Sequence, residues 1–176
     1  MEKIIELCGK QIHPIGIGTW DMGGARFEDD AIYAEYDKDE KNITAIKYSL
    51  SKGQDHIDTA QLYGAGHTEE LVGAAIAGLP REKLFLATKV WQSHTLRSSV
   101  IPGVKDSLRK LGCTYVDLLY IHFPFQYPPM EEYIAGLNDV LEAGLARNIG
   151  VSNFSLEQLK KAESLSSHPI KVNQIH

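Results

Sequence analysis

Residues 84–123 read LFLATKVWQSHTLRSSVIPGVKDSLRKLGCTYVDLLYIHF, and this stretch decides the fold. Two apolar runs, LFLATKV (84–90) and VDLLYIHF (116–123), flank a helix-like segment that ends at Gly112. Near-continuous apolar runs are typical of strands buried on both faces, and a helix between two such strands indicates a parallel pair. We place the firm start of this helix near Pro102, because the first turn of a helix tolerates a residue without an N–H.

The same alternation continues in both directions along the chain. The other apolar runs are IGIGTW (15–20), HIDTA (56–60), ARNIGVSNF (146–154) and IKVNQIH (170–176). Helix-like segments separate them, and one of these opens with capping-box spacing between Ser155 and Gln158. Upstream, residues 3–13 indicate a small hairpin, and the Gly-, Asp- and Glu-rich residues 21–40 indicate an exposed loop.

Six strands alternate with five helices in this interpretation, which predicts an α/β fold with a parallel sheet. The first helix is predicted over 43–53, with its terminal glycine as the cap. Asp21 stands where a dinucleotide-binding turn that began at Gly16 and Gly18 would need a third glycine, which disfavours an open Rossmann-type sheet. A (β/α)8 barrel, the TIM-barrel type, fits better. Because such a barrel typically needs about 250 residues, we expect residues 1–176 to form one incomplete barrel domain.

Composition and charge disfavour several classes of function. The formal net charge of −5 and a pI near 5.8 argue against a nucleic-acid partner or a basic membrane patch. No run of 18 apolar residues is present to span a bilayer. Cys8 and Cys113 are too few for a disulfide framework or a zinc site, so we expect free thiols and a cytoplasmic location. The oligomeric state stays open.

The histidines outside the apolar runs, together with His56, show no metal-ligand spacing, so no metal site is predicted. They are expected at the surface or in loops: His13, His56, His67, His94 and His168. His67 opens a predicted helix, and Glu69 and Glu70 that follow it suit the helix dipole.

Polar residues lie at or just after the ends of the apolar runs. They are Asp58, Tyr63, Lys89, His122, Ser152 and Gln174. Because the C-terminal ends of all barrel strands meet at one mouth, we expect these side chains to share a pocket. Singly, Asp58 could be a strand-end cap and Lys89 a solvated charge. A tyrosine, a lysine, an aspartate and a histidine in one pocket together indicate a proton-transfer site.

In this order and spacing, HIDTAQLYG, ATKV, DLLYIHFP, NIGVSNF and VNQ resemble the aldo-keto reductases. The resemblance implies a (β/α)8 barrel that binds NADPH, or sometimes NADH, and reduces aldehydes or ketones to alcohols. The positions that match the family's catalytic residues are Asp58, Tyr63, Lys89 and His122. Those that match the residues holding the nicotinamide carboxamide are Ser152, Asn153 and Gln174.

The resemblance also implies a small-molecule carbonyl substrate as the partner. Trp20 and Trp91 match aromatic positions that line the substrate pocket. Phe123 stands where many members have tryptophan, so the pocket is expected to differ there.

These residue types suit carbonyl reduction on physical grounds. A hydride that reaches the carbonyl carbon leaves a basic alkoxide, so a donor must protonate the oxygen. Tyr63 is an adequate donor, and an ammonium such as that of Lys89 beside it favours the tyrosinate that remains. Asp58 is expected to fix Lys89 as a cation, and His122 is expected to donate to the carbonyl oxygen.

The family's last two βα units, which supply its phosphate and adenine contacts, have no counterpart in these 176 residues. Three interpretations therefore stay open. The chain is the N-terminal part of a carbonyl reductase, a short non-catalytic or regulatory barrel protein, or a half-barrel that oligomerises to cover its edges. A hydrolase is disfavoured, because Phe154 replaces the second glycine of a nucleophile elbow.

Overall fold

A computed structural model of the protein describes residues 4–24, 26–28 and 31–175. In chain order its strands are β1 (Ile5–Leu7), β2 (Lys10–Ile12), β3 (Ile17–Gly18), β4 (Arg26–Glu28), β5 (Ala31–Tyr33), β6 (His56–Asp58), β7 (Phe85–Val90), β8 (Leu118–Ile121), β9 (Ile149–Ser152) and β10 (Ile170–Gln174). Its helices are α1 (Asp39–Ser51), α2 (His67–Ile76), α3 (Arg97–Leu111), α4 (Met130–Glu142) and α5 (Leu156–Leu165). Within the described ranges, no helix is long and apolar enough to cross a membrane.

Six strands form one parallel sheet in the order β10-β9-β8-β7-β6-β3, so β3 and β10 are its edges. One helix lies between each successive pair of these strands along the chain. At the N-terminus, β1 and β2 pair antiparallel. The predicted α/β fold with six parallel strands, five helices and an N-terminal hairpin is confirmed.

Alternation along the strands divides the core into two clusters. On β7, Leu86 and Val90 join the large apolar cluster that contains the helix residues. Phe85 and Ala87 belong to a second cluster, with Ile12, on the inner face of the sheet. Successive side chains of a strand point to opposite faces, so the residue two positions after Ala87 also lies on the inner face.

The N-terminal hairpin covers the inner cluster at the N-terminal ends of the strands. Ile12 of β2 is buried and packs against Phe85. Lys10 Nζ donates to the carbonyl oxygen of Leu84 at 2.6 Å and pairs with Asp117 at 3.2 Å. The inner face therefore opens toward the C-terminal ends of the strands.

Helix α3 begins earlier than predicted, at Arg97, and contains Pro102 in its second turn. The prediction that this helix starts near Pro102 was wrong. Tertiary contacts hold the turn that precedes the proline: Val100 is fully buried, and Arg97 pairs with Asp139 of α4 at 2.7 Å. These contacts outweigh the intrahelical hydrogen bond that a proline removes.

Residues 21–40 are also more structured than predicted. Strands β4 and β5 form an antiparallel pair in this segment, and α1 begins at Asp39 instead of Ile43. Asp39 and Glu40 lie in the first turn of α1, where acidic side chains suit the positive end of the helix dipole. Residues 25, 29 and 30 of the predicted loop lie outside the described residues.

Sequence signals at other helix ends are confirmed. The hydroxyl of Ser155 accepts from the N–H of Gln158 at 3.2 Å, and the side chain of Gln158 accepts from the N–H of Ser155 at 2.9 Å. These two bonds form the predicted capping box. Gly53 after α1 and Gly112 after α3 have φ of 85° and 63°, a left-handed conformation that glycine adopts readily.

Candidate active site

Side chains alternate between the two faces of a strand, and this alternation brings the predicted polar residues to one side of the sheet. Lys89 shares the inner face of β7, Asp58 ends β6, and His122 directly follows β8. Ser152 and Gln174 end β9 and β10 and are register partners. All five therefore lie at the C-terminal ends of neighbouring strands, where parallel barrels carry their functional side chains.

The ammonium group of Lys89 is buried and fully hydrogen-bonded. Nζ donates to Asp58 Oδ2 at 2.7 Å, to the carbonyl oxygen of Thr59 at 3.0 Å and to the hydroxyl of Tyr63 at 3.1 Å. An ammonium has three N–H donors, so each has an acceptor. Only 1% of Lys89 is exposed, and a buried charge persists when it is paired and hydrogen-bonded. The ion pair with Asp58 thus fixes a positive charge beside Tyr63.

A tight turn after β6 presents Tyr63 to the inner face. Gly64 and Ala65 both have φ of 53°, in the left-handed region. A Cβ on Gly64 would collide with the carbonyl group of Gly23, so the turn requires glycine at this position. The ring of Tyr63 is buried and meets Trp20 edge-on, with centroids 5.0 Å apart.

His122 lies near Tyr63, with ring centroids 5.6 Å apart and planes at 75°. Its ring stacks on Phe123 at 4.9 Å and meets Trp91 edge-on at 5.3 Å. Burial lowers the pKa of His122 to about 3, and the charge of Lys89 adds to this effect. The imidazole is therefore neutral at neutral pH. Its buried Nδ1 has no hydrogen-bond partner in the described part of the chain.

These side chains surround a cavity of about 910 Å³ at the C-terminal ends of the strands. Nine of the ten residues predicted for the site line it: Trp20, Asp58, Tyr63, Trp91, His122, Phe123, Ser152, Asn153 and Gln174. The tenth, Lys89, does not line the cavity but contacts two residues that do, Asp58 and Tyr63.

Hydroxyl and amide groups lie together beside β9 and β10. Asn153, with φ of 60°, donates its backbone N–H to the carbonyl oxygen of Gln174 at 2.8 Å. Its side-chain Nδ2 donates to Ser152 Oγ at 3.2 Å, and Gln174 Nε2 lies 3.4 Å from Asp58 Oδ1. This set carries both donors and acceptors, as the recognition of a carboxamide requires.

Gln61 is one of the cavity-lining residues that the sequence analysis did not predict, and Phe125 contacts the cavity residue Trp91 without lining the cavity itself. Gln61 Oε1 accepts from the backbone N–H of Trp91 at 2.9 Å, and the ring of Phe125 meets the indole of Trp91 at 5.5 Å. The position of Gln61 within HIDTAQLYG, two residues before Tyr63, is the signal that could have found it. Phe125 lies beyond the strand end and has no comparable signal.

His67 corrects the expectation of a surface or loop histidine, because its ring is buried between two carboxylates. Nε2 lies 2.9 Å from Asp39 Oδ1, and Nδ1 lies 2.9 Å from Glu70 Oε2. A neutral imidazole has one N–H, so donation to both carboxylates requires the imidazolium. Burial opposes that charge, but the hydrogen bonds that the ring donates to Glu70 and Asp39 outweigh it and raise the pKa of His67. This cluster does not line the cavity.

The described residues contain no group of three or more His, Cys, Asp or Glu side chains that could hold a metal ion. Cys8 and Cys113 are both free.

Known proteins carry the same sequence pattern and fold. The methylglyoxal reductase DkgB of Escherichia coli O157:H7 is 39% identical over 166 residues, which cover 92% of this chain and 57% of the relative. The structure of the thermostable aldo-keto reductase Tm1743 with the inhibitor epalrestat has a TM-score of 0.90 and 40% identity, and the match covers 98% of this chain and 62% of that one. The structure of Bombyx mori AKR2E4 in complex with NADP has a TM-score of 0.80 and 36% identity, and the match covers 99% and 58%.

The chain spans about half the length of the curated relatives it matches, with 57% and 46% of two of them covered. Within the chain, the model of the aldo/keto reductase family matches residues 14–176, which include the whole parallel sheet and every residue that lines the cavity. This chain therefore belongs to the aldo/keto reductase family.

Proposed function

We propose that the protein is an NADPH-dependent, or NADH-dependent, oxidoreductase that reduces aldehydes or ketones to alcohols. The observation that carries the proposal is the buried lysine between a carboxylate and a phenol. Lys89 Nζ lies 2.7 Å from Asp58 and 3.1 Å from the hydroxyl of Tyr63. The activity is proposed for the whole protein, because the chain spans about half the length of the relatives it matches, and we propose that residues 1–176 form one incomplete barrel domain.

Tyr63 is the proposed proton donor. As negative charge develops on the carbonyl oxygen, the O–H bond of Tyr63 breaks and the O–H bond of the alcohol forms. The phenolate that remains lies 3.1 Å from Lys89 Nζ, whose charge stabilises it. Asp58 fixes the ammonium in this position through its ion pair. A general acid held in this way typically contributes about 10²–10⁴-fold in rate.

His122 is proposed to orient the carbonyl group and not to protonate it. With its pKa lowered to about 3, the imidazolium is scarce at neutral pH. A neutral ring still donates one hydrogen bond, and because Nδ1 is enclosed, Nε2 is the nitrogen available to a substrate. That bond polarises the carbonyl and strengthens as charge develops on its oxygen.

The hydroxyl and amide groups beside β9 and β10 fit the nicotinamide end of the cofactor. Ser152, Asn153 and Gln174 line the cavity and offer donors and acceptors that match a carboxamide. When bound, NADPH supplies the hydride that reduces the carbonyl carbon. The relative AKR2E4 was solved with NADP, which supports this choice of cofactor.

The substrate is proposed to be a small carbonyl compound. Trp20, Trp91 and Phe123 line the cavity, so an apolar or aromatic substituent is expected to pack against them. Because one relative is a methylglyoxal reductase, methylglyoxal is a suitable first substrate, and benzaldehyde is a suitable aromatic aldehyde to compare with it.

We also propose a cytoplasmic location. Two free cysteines, Cys8 and Cys113, are in keeping with a reducing compartment.

Tyr63→Phe, in the protein expressed from its complete gene, tests the proposed reaction. We expect kcat for methylglyoxal to fall by at least about 10²-fold, because the proton donor is lost. NADPH binding, followed by tryptophan fluorescence, should change little. Tyr48→Phe is the matched control, since Tyr48 lies on the exposed face of α1.

Retention of more than about a tenth of wild-type kcat by Tyr63→Phe would show that Tyr63 is not the acid. A wild-type protein that binds NADPH but reduces no carbonyl compound would favour the alternative function, a non-catalytic or regulatory barrel protein.

A further inference from the structure

The hydrogen-bond ladder between β6 and β7 is extended by a side chain. The N–H of Thr59 donates to the carbonyl oxygen of Ala87 at 2.9 Å, and the N–H of Gln61 donates to that of Lys89 at 3.1 Å. Continued at this spacing, the ladder would next join the N–H of Trp91 to the main-chain carbonyl of Gln61. Instead, Gln61 Oε1 accepts from the N–H of Trp91 at 2.9 Å.

The turn that presents Tyr63 explains this replacement. The chain leaves the strand direction at Leu62, where φ is −69° and ψ is −35°, and continues as a 3₁₀ turn over Tyr63–Gly66. The backbone after β6 therefore no longer runs beside β7. A backbone N–H shielded from water needs an acceptor, and the side chain of Gln61 supplies one to Trp91.

Gln61 is itself held by a buried polar network. Its Nε2 donates to Ser107 Oγ of α3 at 3.2 Å, and only 1% of Ser107 is exposed. Glu69 of α2 is fully buried nearby and accepts from Thr88 Oγ1 at 2.7 Å. Burial raises the pKa of Glu69, and the hydroxyls of Thr88 and Ser107 oppose this rise. The amide of Gln61 thus has one fixed orientation, with its oxygen toward Trp91.

We propose that Gln61 is a positioning residue that fixes Trp91 in the wall of the substrate cavity. The indole of Trp91 makes edge contacts with His122 at 5.3 Å, Phe123 at 6.1 Å and Phe125 at 5.5 Å. A shift of the Trp91 backbone would change all three contacts and reshape the cavity beside His122. The role in substrate binding rests on the proposed carbonyl reduction, whereas the fixing of Trp91 does not.

Three variants separate the bonds of the Gln61 amide. Gln61→Met removes both bonds at similar length, Gln61→Glu keeps an acceptor for Trp91, and Ser107→Ala removes only the outer anchor. Gln92→Met is the matched control, because Gln92 follows Trp91 and is exposed. All are made in the complete protein, in a background where every other tryptophan, including Trp20, is replaced by phenylalanine.

The readouts are acrylamide quenching of Trp91 fluorescence, and kcat and KM for benzaldehyde with saturating NADPH. In Gln61→Met we expect the quenching constant to rise at least about twofold and KM to rise about 2–10-fold, as for one lost neutral hydrogen bond. The change in kcat should stay within about twofold, since the proton donor is untouched. Gln61→Glu should restore the wild-type quenching, and Ser107→Ala should lie between the two.

Unchanged quenching and unchanged KM in Gln61→Met would overturn the proposal. Equal effects in Gln61→Glu and Gln61→Met would also overturn it, because the acceptor at Trp91 would then be irrelevant. If Gln61→Met fails to fold, the other two variants decide: Gln61→Glu should keep the wild-type quenching constant and Ser107→Ala should raise it. Unchanged quenching and unchanged KM in Ser107→Ala would then overturn the proposal. A changed quenching constant in a protein that reduces no carbonyl compound would sustain the fixing of Trp91 and refute the proposed function instead.

Discussion

Replacing Lys89 with methionine removes the positive charge beside Tyr63 and keeps a side chain of similar length. Lys89 Nζ lies 3.1 Å from the hydroxyl of Tyr63, and two unit charges at that distance interact by about 5 kcal/mol at an effective dielectric constant of about 20. This is an upper limit for the stabilisation of the phenolate, because the charge of Asp58, 2.7 Å from Nζ, opposes it. We expect kcat for carbonyl reduction to fall by about 10²–10⁴-fold.

The same substitution leaves the carboxylate of Asp58 without its partner, so a second variant must separate the two effects. In Asp58→Asn/Lys89→Met the uncompensated carboxylate is gone as well. If Lys89 acts by stabilising the phenolate, the double variant should be as slow as Lys89→Met. If the loss comes from the unpaired charge of Asp58, the double variant should recover most of the activity.

The assay is NADPH oxidation with methylglyoxal at saturating concentrations, for the complete protein and both variants at neutral pH. Thermal unfolding of each variant checks that the loss is not a loss of folded protein. Lys89→Met with more than about a tenth of wild-type kcat would refute the reasoning, since no general acid effect would then depend on the ammonium. Recovery of activity in the double variant would refute it on a separate ground.

Three further predictions concern stability and assembly. Ser155→Ala should lower the free energy of unfolding by about 1 kcal/mol because it removes a capping box, whereas Ser164→Ala in the same helix should not lower it; urea unfolding measures both. The pKa of His67 is raised in the folded state, so protonated His67 should stabilise the fold fully below about pH 6.5, and this contribution should be lost as pH rises through the raised pKa. The free energy of unfolding of the wild type should therefore fall over this range relative to that of His67→Gln, and urea unfolding at several pH values measures both. The 176-residue chain alone should self-associate, because β3 and β10 expose unpaired backbone groups; a monodisperse monomer on size-exclusion chromatography with a cooperative melt would contradict this.

The parallel sheet could be predicted because each of its strands corresponds to a short apolar run in the sequence, and helix-like segments separate these runs. The sequence also predicts that Asp58, Lys89 and His122 lie close together. Each stands at the C-terminal end of a strand, and the C-terminal ends of parallel barrel strands lie side by side. Lys89 is two residues after Ala87 on β7, so the alternation of side chains places both on the inner face. The structure brings these side chains together as expected, and their catalytic roles stay predictions.

What the sequence did not reveal depends on partners that lie far away along the chain. Pro102 indicated a helix start, but the turn before it is held by Val100 in the core and by the pair between Arg97 and Asp139, 42 residues away. His67 was expected at the surface or in a loop, but its ring is buried and contacts the carboxylate of Asp39, which lies 28 residues upstream. Neither partner follows from local propensity, because the first contact depends on how α3 packs against α4 and the second on how α1 packs against α2.

The residues of the candidate site lie on both inner strands and edge strands of the sheet. Asp58, Lys89 and His122 lie on or directly after β6, β7 and β8, which have neighbours on both sides. Gln174 ends β10 and Trp20 follows β3, and these two strands are the edges. The inner strands hold the residues proposed for proton transfer, and each edge strand adds one further residue to the site, Gln174 proposed for the cofactor and Trp20 for the substrate. A chain can therefore keep the geometry around Lys89 and still bind NADPH weakly, so cofactor affinity and proton transfer must be measured separately.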